Sequence, residues 1–253
     1  MMHQILIEKI KDKPPLDRLD NGFVLHFINE FFKRSNTLKI KCENETLKER
    51  EIKKIVKEVR NELNKIYGQF WKVKKVKLNL NYDIHQSTFE RKEFYHALYE
   101  KLFSITGKPK TVLDIGAGLN PLSYGLIGND VFYYVNELTK EDCNLIEEYL
   151  KKNKFKFEIL QGDVLEIKEF PEVDVCFLFK ILDSLDLRDH KTSENLINKI
   201  KANYLIVSFA SVTTKNRGMN YPRRGWFEQM LKRLGYKFNK LEFVNEIFYV
   251  IKK

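Results

Sequence analysis

This 253-residue sequence predicts an α/β fold in which a largely parallel sheet is closed by an antiparallel hairpin and preceded by a basic helical part. Three observations carry that expectation. Strand and helix signals alternate from residue 111 to residue 234, as in a doubly wound sheet. Two β-rich runs, 236–243 and 246–251, then follow across the short Val244-Asn245 link, which is a hairpin signal. Residues 1–104 lack strand alternation and show apolar residues at helical spacing.

Among the helical segments, Phe23, Phe27, Ile28, Phe31 and Phe32 recur on one face, and Ile52, Ile55, Val56, Val59, Leu63 and Ile66 do so more cleanly. These positions read as ordinary core. The polar side is more informative: residues 1–104 hold 22 Lys and Arg against 15 Asp and Glu, so +7 of the formal +10 lies there. A basic helical lobe beside a near-balanced domain suits phosphate gripping by one part and chemistry by the other. The densest patch, Trp71-Lys72-Val73-Lys74-Lys75-Val76-Lys77, is explained nearly as well by a solvated helix end as by an RNA contact. Residues 85–103 begin polar and become an amphipathic helix through Phe94, Leu98 and Leu102, with Ser87 or Thr88 as its N-cap. The Gly107-Lys108-Pro109 break marks a boundary, giving a helical RNA-binding domain at 1–105 and a second domain at 106–253.

The second domain opens on Thr111-Val112-Leu113-Asp114-Ile115-Gly116-Ala117-Gly118. A β-branched and aliphatic run without alternation suits a strand buried on both faces. Gly116 and Gly118 then let the backbone turn sharply and come close to a ligand. Leu122 stands where a dinucleotide fingerprint has its third glycine. Further strands are expected at 131–136, 156–161, 173–179 and 204–209, with helices at 140–153, 193–200 and 226–234. A parallel sheet finished by a hairpin is the organisation of the class I S-adenosylmethionine-dependent methyltransferase, Rossmann-like fold; an ordinary dehydrogenase fold lacks the last strand.

Acids at successive strand ends point to an adenosine ligand. Glu137 ends the second strand about 20 residues after the turn, where an acid accepts both ribose hydroxyls. Asp163 ends the third strand, where its carboxylate and the N–H of Val164 can read the adenine edge. Asp114 can order the turn or reach the amino acid end of the cofactor. Each acid taken singly also reads as a loop or cap residue. Together, and without the third glycine that a pyrophosphate needs, they favour S-adenosylmethionine over a nicotinamide dinucleotide.

Several separate motifs over about residues 82–228 resemble one family. They are His85-Gln86-Ser87-Thr88-Phe89-Glu90-Arg91, Leu113-Asp114-Ile115-Gly116-Ala117-Gly118-Leu119-Asn120-Pro121-Leu122, Phe177-Leu178-Phe179-Lys180-Ile181-Leu182, Val207-Ser208-Phe209 and Arg217-Gly218-Met219. In this order they are similar to the aminoglycoside-resistance ribosomal RNA methyltransferases that modify guanine N7 in the decoding A site. The resemblance implies that Arg91 pairs with the methionine carboxylate and that Lys180, Asp186, Ser208 and Arg217 lie on the substrate side. The chain departs from the family pattern with Glu137 for Asp, Ala117 for Cys, Asp183 for Pro, Asp186 for Glu and Ala210 for Pro. The last three changes of side chain sit beside the expected target base.

The function expected is methyl transfer to guanine N7 of small-subunit ribosomal RNA, with no acid/base residue required because that lone pair is already nucleophilic. Lys180 would orient the guanine through O6, or simply reach solvent, and Arg217 would clamp a phosphate. Methylation of another RNA position, of a small molecule or of a protein, and a noncatalytic RNA-binding assembly factor, are the other readings. Cys42, Cys143 and Cys176 are odd in number and lack metal spacing, so neither a disulfide framework nor a metal is expected. The longest apolar run is far too short for a membrane span. A cytoplasmic monomer acting on ribosomal RNA or the small subunit, with no membrane partner, is expected.

Overall fold

The computed structural model describes residues 1–71, 85–185, 190–212 and 224–253. Among these, a first compact unit holds residues 1–71 with His85 and Gln86, and a second begins at Ser87.

The described residues of the first unit form the α-helices α1 (Met2–Lys11), α2 (Asn21–Lys33), α3 (Asn36–Glu43) and α4 (Glu49–Ile66). Helix α2 starts where the Asp20 carboxylate accepts the N–H of Gly22 at 2.6 Å. In α4 the side chain of Glu51 accepts the N–H of Lys48 at 2.8 Å, and Lys65 in the last turn complements the helix dipole. Ile55, Val56, Val59 and Leu63 form the buried stripe of α4, which packs on α1 and α2. Of the phenylalanines expected on α2, Phe31 and Phe32 are buried, whereas Phe23 and Phe27 are only half-buried and meet in a tilted contact, their ring centroids 5.2 Å apart. Trp71 is core rather than surface: it is buried, with the Arg18 guanidinium 4.8 Å from its ring and His85 edge-on at 5.3 Å. Lys72, Lys74, Lys75 and Lys77 lie outside the described residues.

In the second unit the expected single helix at 85–103 is two, α5 (Gln86–Arg91) and α6 (Tyr95–Thr106). Ser87 and Thr88 are buried inside α5, so neither is the cap. Helix α6 begins after Phe94 with no side-chain cap. Its Leu98, Tyr99 and Leu102 are buried, Tyr99 Oη shares a 2.7 Å hydrogen bond with Ser123 Oγ, and the Tyr99 ring stacks on Phe177 at 6.1 Å. Residues 87–105, assigned from sequence to the first domain, thus have their packing in the second unit, because apolar burial outweighs the local Gly107 break. Gly107 ends the helix, with φ +73.

The remainder runs β1 (Thr111–Ile115), α7 (Tyr124–Ile127), β2 (Phe132–Glu137), α8 (Lys140–Lys152), β3 (Lys156–Gln161), β4 (Val173–Phe179), α9 (Leu182–Leu185), α10 (Lys191–Lys199), β5 (Ala202–Ala210), α11 (Gly225–Arg233), β6 (Lys237–Phe243) and β7 (Glu246–Lys252). Among the described residues the strands form one sheet of order β3-β2-β1-β4-β5-β7-β6. Neighbours from β3 to β5 are parallel, while β7 is antiparallel to both β5 and β6. The strand order reverses between β1 and β4, which makes the carboxyl ends of these strands the binding edge of such a sheet. Leu113, Cys176, Leu205, Val207 and Tyr249 pack one face against Ile197 and Phe227 of the flanking helices. The antiparallel register sets Glu246 opposite Ala210, at the same edge of the sheet as the carboxyl end of β5. The class I fold expected from sequence is therefore present, including its hairpin.

Candidate cofactor and transfer site

Gly116 and Gly118 both have positive φ, +60 and +55, in the turn that leaves β1. The positive φ at Gly116 favours glycine, and a Cβ there would press on the tip of the Ile181 side chain. Leu122, in the place of the third glycine, is buried in the short 3-10 turn that follows. Below the turn, Asp114 is buried and accepts from Tyr133 Oη at 2.7 Å and Asn120 Nδ2 at 2.8 Å. Tyr95 Oη in turn donates to Asn120 Oδ1 at 2.7 Å. Of the two roles expected for Asp114, ordering the turn is the one these contacts serve. Burial pushes its pKa up to about 6, against the pull of Tyr133, Asn120 and Arg91.

Glu137 closes the turn from the end of β2. Its Oε1 accepts the N–H of Gly118 and its Oε2 that of Leu138, each at 2.7 Å. Burial, then the charge of Asp142, pushes its pKa up to about 7, with the two backbone donors opposing. Its neighbour Asn136 braces the next strand by donating to Leu160 O at 2.8 Å and Gly162 O at 3.0 Å. At the end of β3, Asp163 is half-buried and accepts the Leu165 N–H at 3.0 Å, while Val164 is buried. A Cβ on Gly162, at φ +129, would meet nothing within 4 Å, so open space adjoins this strand end. The acids expected at successive strand ends are therefore placed there.

Across the switch point lies a buried charge cluster that the motifs only partly announced. Arg91, 2% exposed, forks onto Glu246, with Nη2 2.8 Å from Oε1 and Nε 2.9 Å from Oε2. Burial alone would depress the guanidinium, but the Glu246 carboxylate more than offsets it and raises it above its ordinary value. Burial likewise opposes the Glu246 charge, yet Arg91 and Lys180 hold that carboxyl below its usual range. Ser208 Oγ, fully buried, also donates to Glu246 Oε1. Lys180 has φ +59, a left-handed conformation unusual for a side-chain-bearing residue, and its N–H is held by Ser208 O and Ser208 Oγ, both at 3.1 Å. Its Nζ lies 2.5 Å from Glu90 Oε2 and 3.4 Å from Glu246 Oε2, with its side chain 8% exposed. The sequence alternative in which Lys180 reaches solvent is overturned: two carboxylates draw it inward. Asp183 pairs with Arg224 at 2.7 Å. Asp186 and Arg217 lie outside the described residues.

Sequence reasoning gave Glu90 no role and missed Glu246 altogether. The one available signal for Glu246 was an acid heading the otherwise apolar run Ile247-Phe248-Tyr249-Val250-Ile251.

Residues 51–250 match the family model described as ribosomal RNA methyltransferase (FmrO). The 16S rRNA (guanine(1405)-N(7))-methyltransferase of Proteus mirabilis is 27% identical over 216 residues, covering 81% of this chain and 75% of its own. A protein of the same name from Frankia casuarinae is 23% identical over 67% of this chain and 62% of its own length. The crystal structure of the 16S rRNA methyltransferase RmtF in complex with S-adenosyl-L-homocysteine superposes with a TM-score of 0.77 at 18% identity, covering 99% of this chain and 98% of that one. Similarity at that identity establishes a shared fold. Among the described residues no helix is long and apolar enough to cross a membrane.

Proposed function

The chain belongs to the ribosomal RNA methyltransferase (FmrO) family, and from that premise we propose that it transfers a methyl group from S-adenosylmethionine to N7 of a guanine in 16S ribosomal RNA. The observation that carries the reading is Glu137, locked onto the glycine turn by the N–H groups of Gly118 and Leu138. Each of its oxygens keeps a second lone pair for a ribose hydroxyl. Open space beside Gly162 and the buried guanidinium of Arg91 fit the remaining parts of the same ligand.

In this reading Gly116 and Gly118 let the backbone approach the cofactor, Glu137 accepts the ribose diol, and Asp163 with the Val164 N–H reads the adenine. Arg91 is gripped by Glu246 along its Nε–Nη2 edge and also hydrogen-bonds Tyr95, and its remaining N–H donors take the methionine carboxylate. The bound cofactor supplies an electrophilic sulfonium methyl. The guanine N7 lone pair needs no base, so the chain's work is to orient the reactants and exclude water. Lys180 has three N–H donors, of which two face Glu90 and Glu246, and the third orients the guanine through O6. Ser208 holds the Lys180 backbone, while Asp186 and Arg217 contact the RNA.

The helical first unit supplies phosphate contacts, a role its excess of basic residues supports. In this reading the enzyme acts in the cytoplasm, where its ribosomal RNA substrate is found, and a monomer is the expected state. Mass spectrometry of the host's 16S ribosomal RNA with and without this protein tests the proposal. A single added methyl on a guanine, labile as N7-methylguanine is, is expected. An unchanged RNA, or a methyl on an exocyclic amine or a ribose, would overturn it.

A further inference from the structure

We propose that Glu246 is a positioning residue for methyl transfer, a shared carboxylate that sets Arg91 on the cofactor side and Lys180 on the base side together. The proposal rests on the reading in which Arg91 meets the methionine carboxylate. Glu246 is fully buried, and its oxygens take the Arg91 fork at 2.8, 2.9 and 3.2 Å, the Ser208 hydroxyl, and Lys180 Nζ at 3.4 Å. A stability role alone explains such an arrangement poorly. Buried ion pairs recover little more than their desolvation cost, and apolar residues of similar volume commonly serve a core as well or better. Here the cluster instead orders two side chains from different elements, α5 and the turn after β4.

The backbone points the same way. Lys180 holds a left-handed conformation with its N–H on Ser208, and that hydroxyl, accepting from Lys180 N, donates onward to Glu246. Its strained backbone and its ammonium are thus tied to the same carboxylate, directly or through one hydroxyl. A guanidinium fixed along one edge by Glu246, and held further by Tyr95, presents its remaining N–H groups in a defined plane, as recognition of a carboxylate requires. Glu246 enters from β7, the strand that runs against the others, and its register opposite Ala210 brings an acid to the binding edge of the sheet.

The decisive test compares two ligands that differ only at the methionine end. S-adenosylhomocysteine carries the amino acid carboxylate, and 5′-methylthioadenosine lacks it. Calorimetry on the full chain should show Glu246→Gln weakening S-adenosylhomocysteine by ~10-fold or more, the scale of one charge-assisted contact, with methylthioadenosine changed less than about twofold. Glu246→Asp, which keeps the charge, should recover part of the loss. With cofactor and RNA saturating, the single-turnover methylation rate of Glu246→Gln should still fall about tenfold, because Lys180 loses its second anchor.

Equal weakening of both ligands would mean a merely structural role and overturn the proposal, as would an unchanged single-turnover rate. If Arg91→Lys also fails to separate the two ligands, the assignment of Arg91 is what fails, and if the parent protein binds neither ligand, the cofactor reading fails. Should Glu246→Gln not fold, Ser208→Ala removes only the hydroxyl link. It is expected to weaken S-adenosylhomocysteine by about two- to fivefold with methylthioadenosine unchanged, because Arg91 and Lys180 still hold the Glu246 carboxylate, and equal loss of both would again overturn the proposal.

Discussion

Glu137 has a consequence that can be measured without any ligand. The residue is 8% exposed, and burial, with Asp142 next in effect, pushes its pKa from 4.5 up to about 7. An acid whose pKa is higher folded than unfolded binds its proton more tightly in the folded state. Its contribution to stability is therefore greatest below about pH 4.5 and is lost as pH rises through about 7. A gap of roughly 2.5 units is worth ~3 kcal/mol, most of it lost between about pH 5 and about pH 8. Glu137→Gln removes the titration. A glutamine has one acceptor for the two N–H groups of Gly118 and Leu138, so the variant also carries a pH-independent cost of ~1–3 kcal/mol.

Urea denaturation of both proteins at pH 5 and pH 8 separates these effects. The stability difference between parent and variant should shift by ~2–3 kcal/mol in favour of the variant at the higher pH. An equal difference at both pH values would refute the burial argument. Cofactor affinity should move in the opposite direction. The carboxylate is the better acceptor for a ribose diol, so S-adenosylhomocysteine binding to the parent should strengthen, by up to about tenfold per unit, as pH rises toward 7. Glu137→Gln should flatten that dependence.

Arg91→Lys keeps a charge opposite Glu246 but loses the fork; cofactor affinity should fall about tenfold or more while RNA affinity, measured by filter binding, changes little, and equal loss of both would contradict the assignment. Arg91→Ala should go further and destabilise the fold by ~3–5 kcal/mol, read by thermal unfolding, because it strips the main partner from a buried carboxylate. Gly116→Ala should cost ~2 kcal/mol through its positive φ and the collision with Ile181, and about half of that in an Ile181→Ala background; equal costs would show that Ile181 imposes no constraint. Replacing Lys72, Lys74 and Lys75 together should reduce the slope of log affinity against log salt for RNA by about 2 to 3, as three lost phosphate contacts require. An unchanged slope would place these lysines on a solvated face.

How much could be read in advance follows from the range of the interaction involved. Strands β3 and β4 occupy the residues expected, and the others differ by one or two at their ends. Periodicity is a local property, and continuous apolar runs such as Val175-Cys176-Phe177-Leu178-Phe179 leave few alternatives in a doubly wound sheet. The segment 85–103 departs from the single helix its pattern predicts for the complementary reason. Ser87 and Thr88 look like caps by residue type, but burial draws both into α5, and the chain breaks again near Phe94. Propensity yields to packing there.

By itself the sequence determined the fold, the glycine turn and the strand-end acids, because each is set by a residue's position within its own strand or the turn after it. Only the tertiary structure decided what those groups do to one another. Glu137 accepts an N–H from Gly118, 19 residues away, while Arg91 and Glu246 are 155 residues apart and come from separate elements. Charge pairing has no periodicity along the chain, so nothing near Arg91 announces that its partner heads the last strand. That pairing, and the inward turn of Lys180, arise only when β7 enters antiparallel and brings one buried acid to the edge where the parallel strands end.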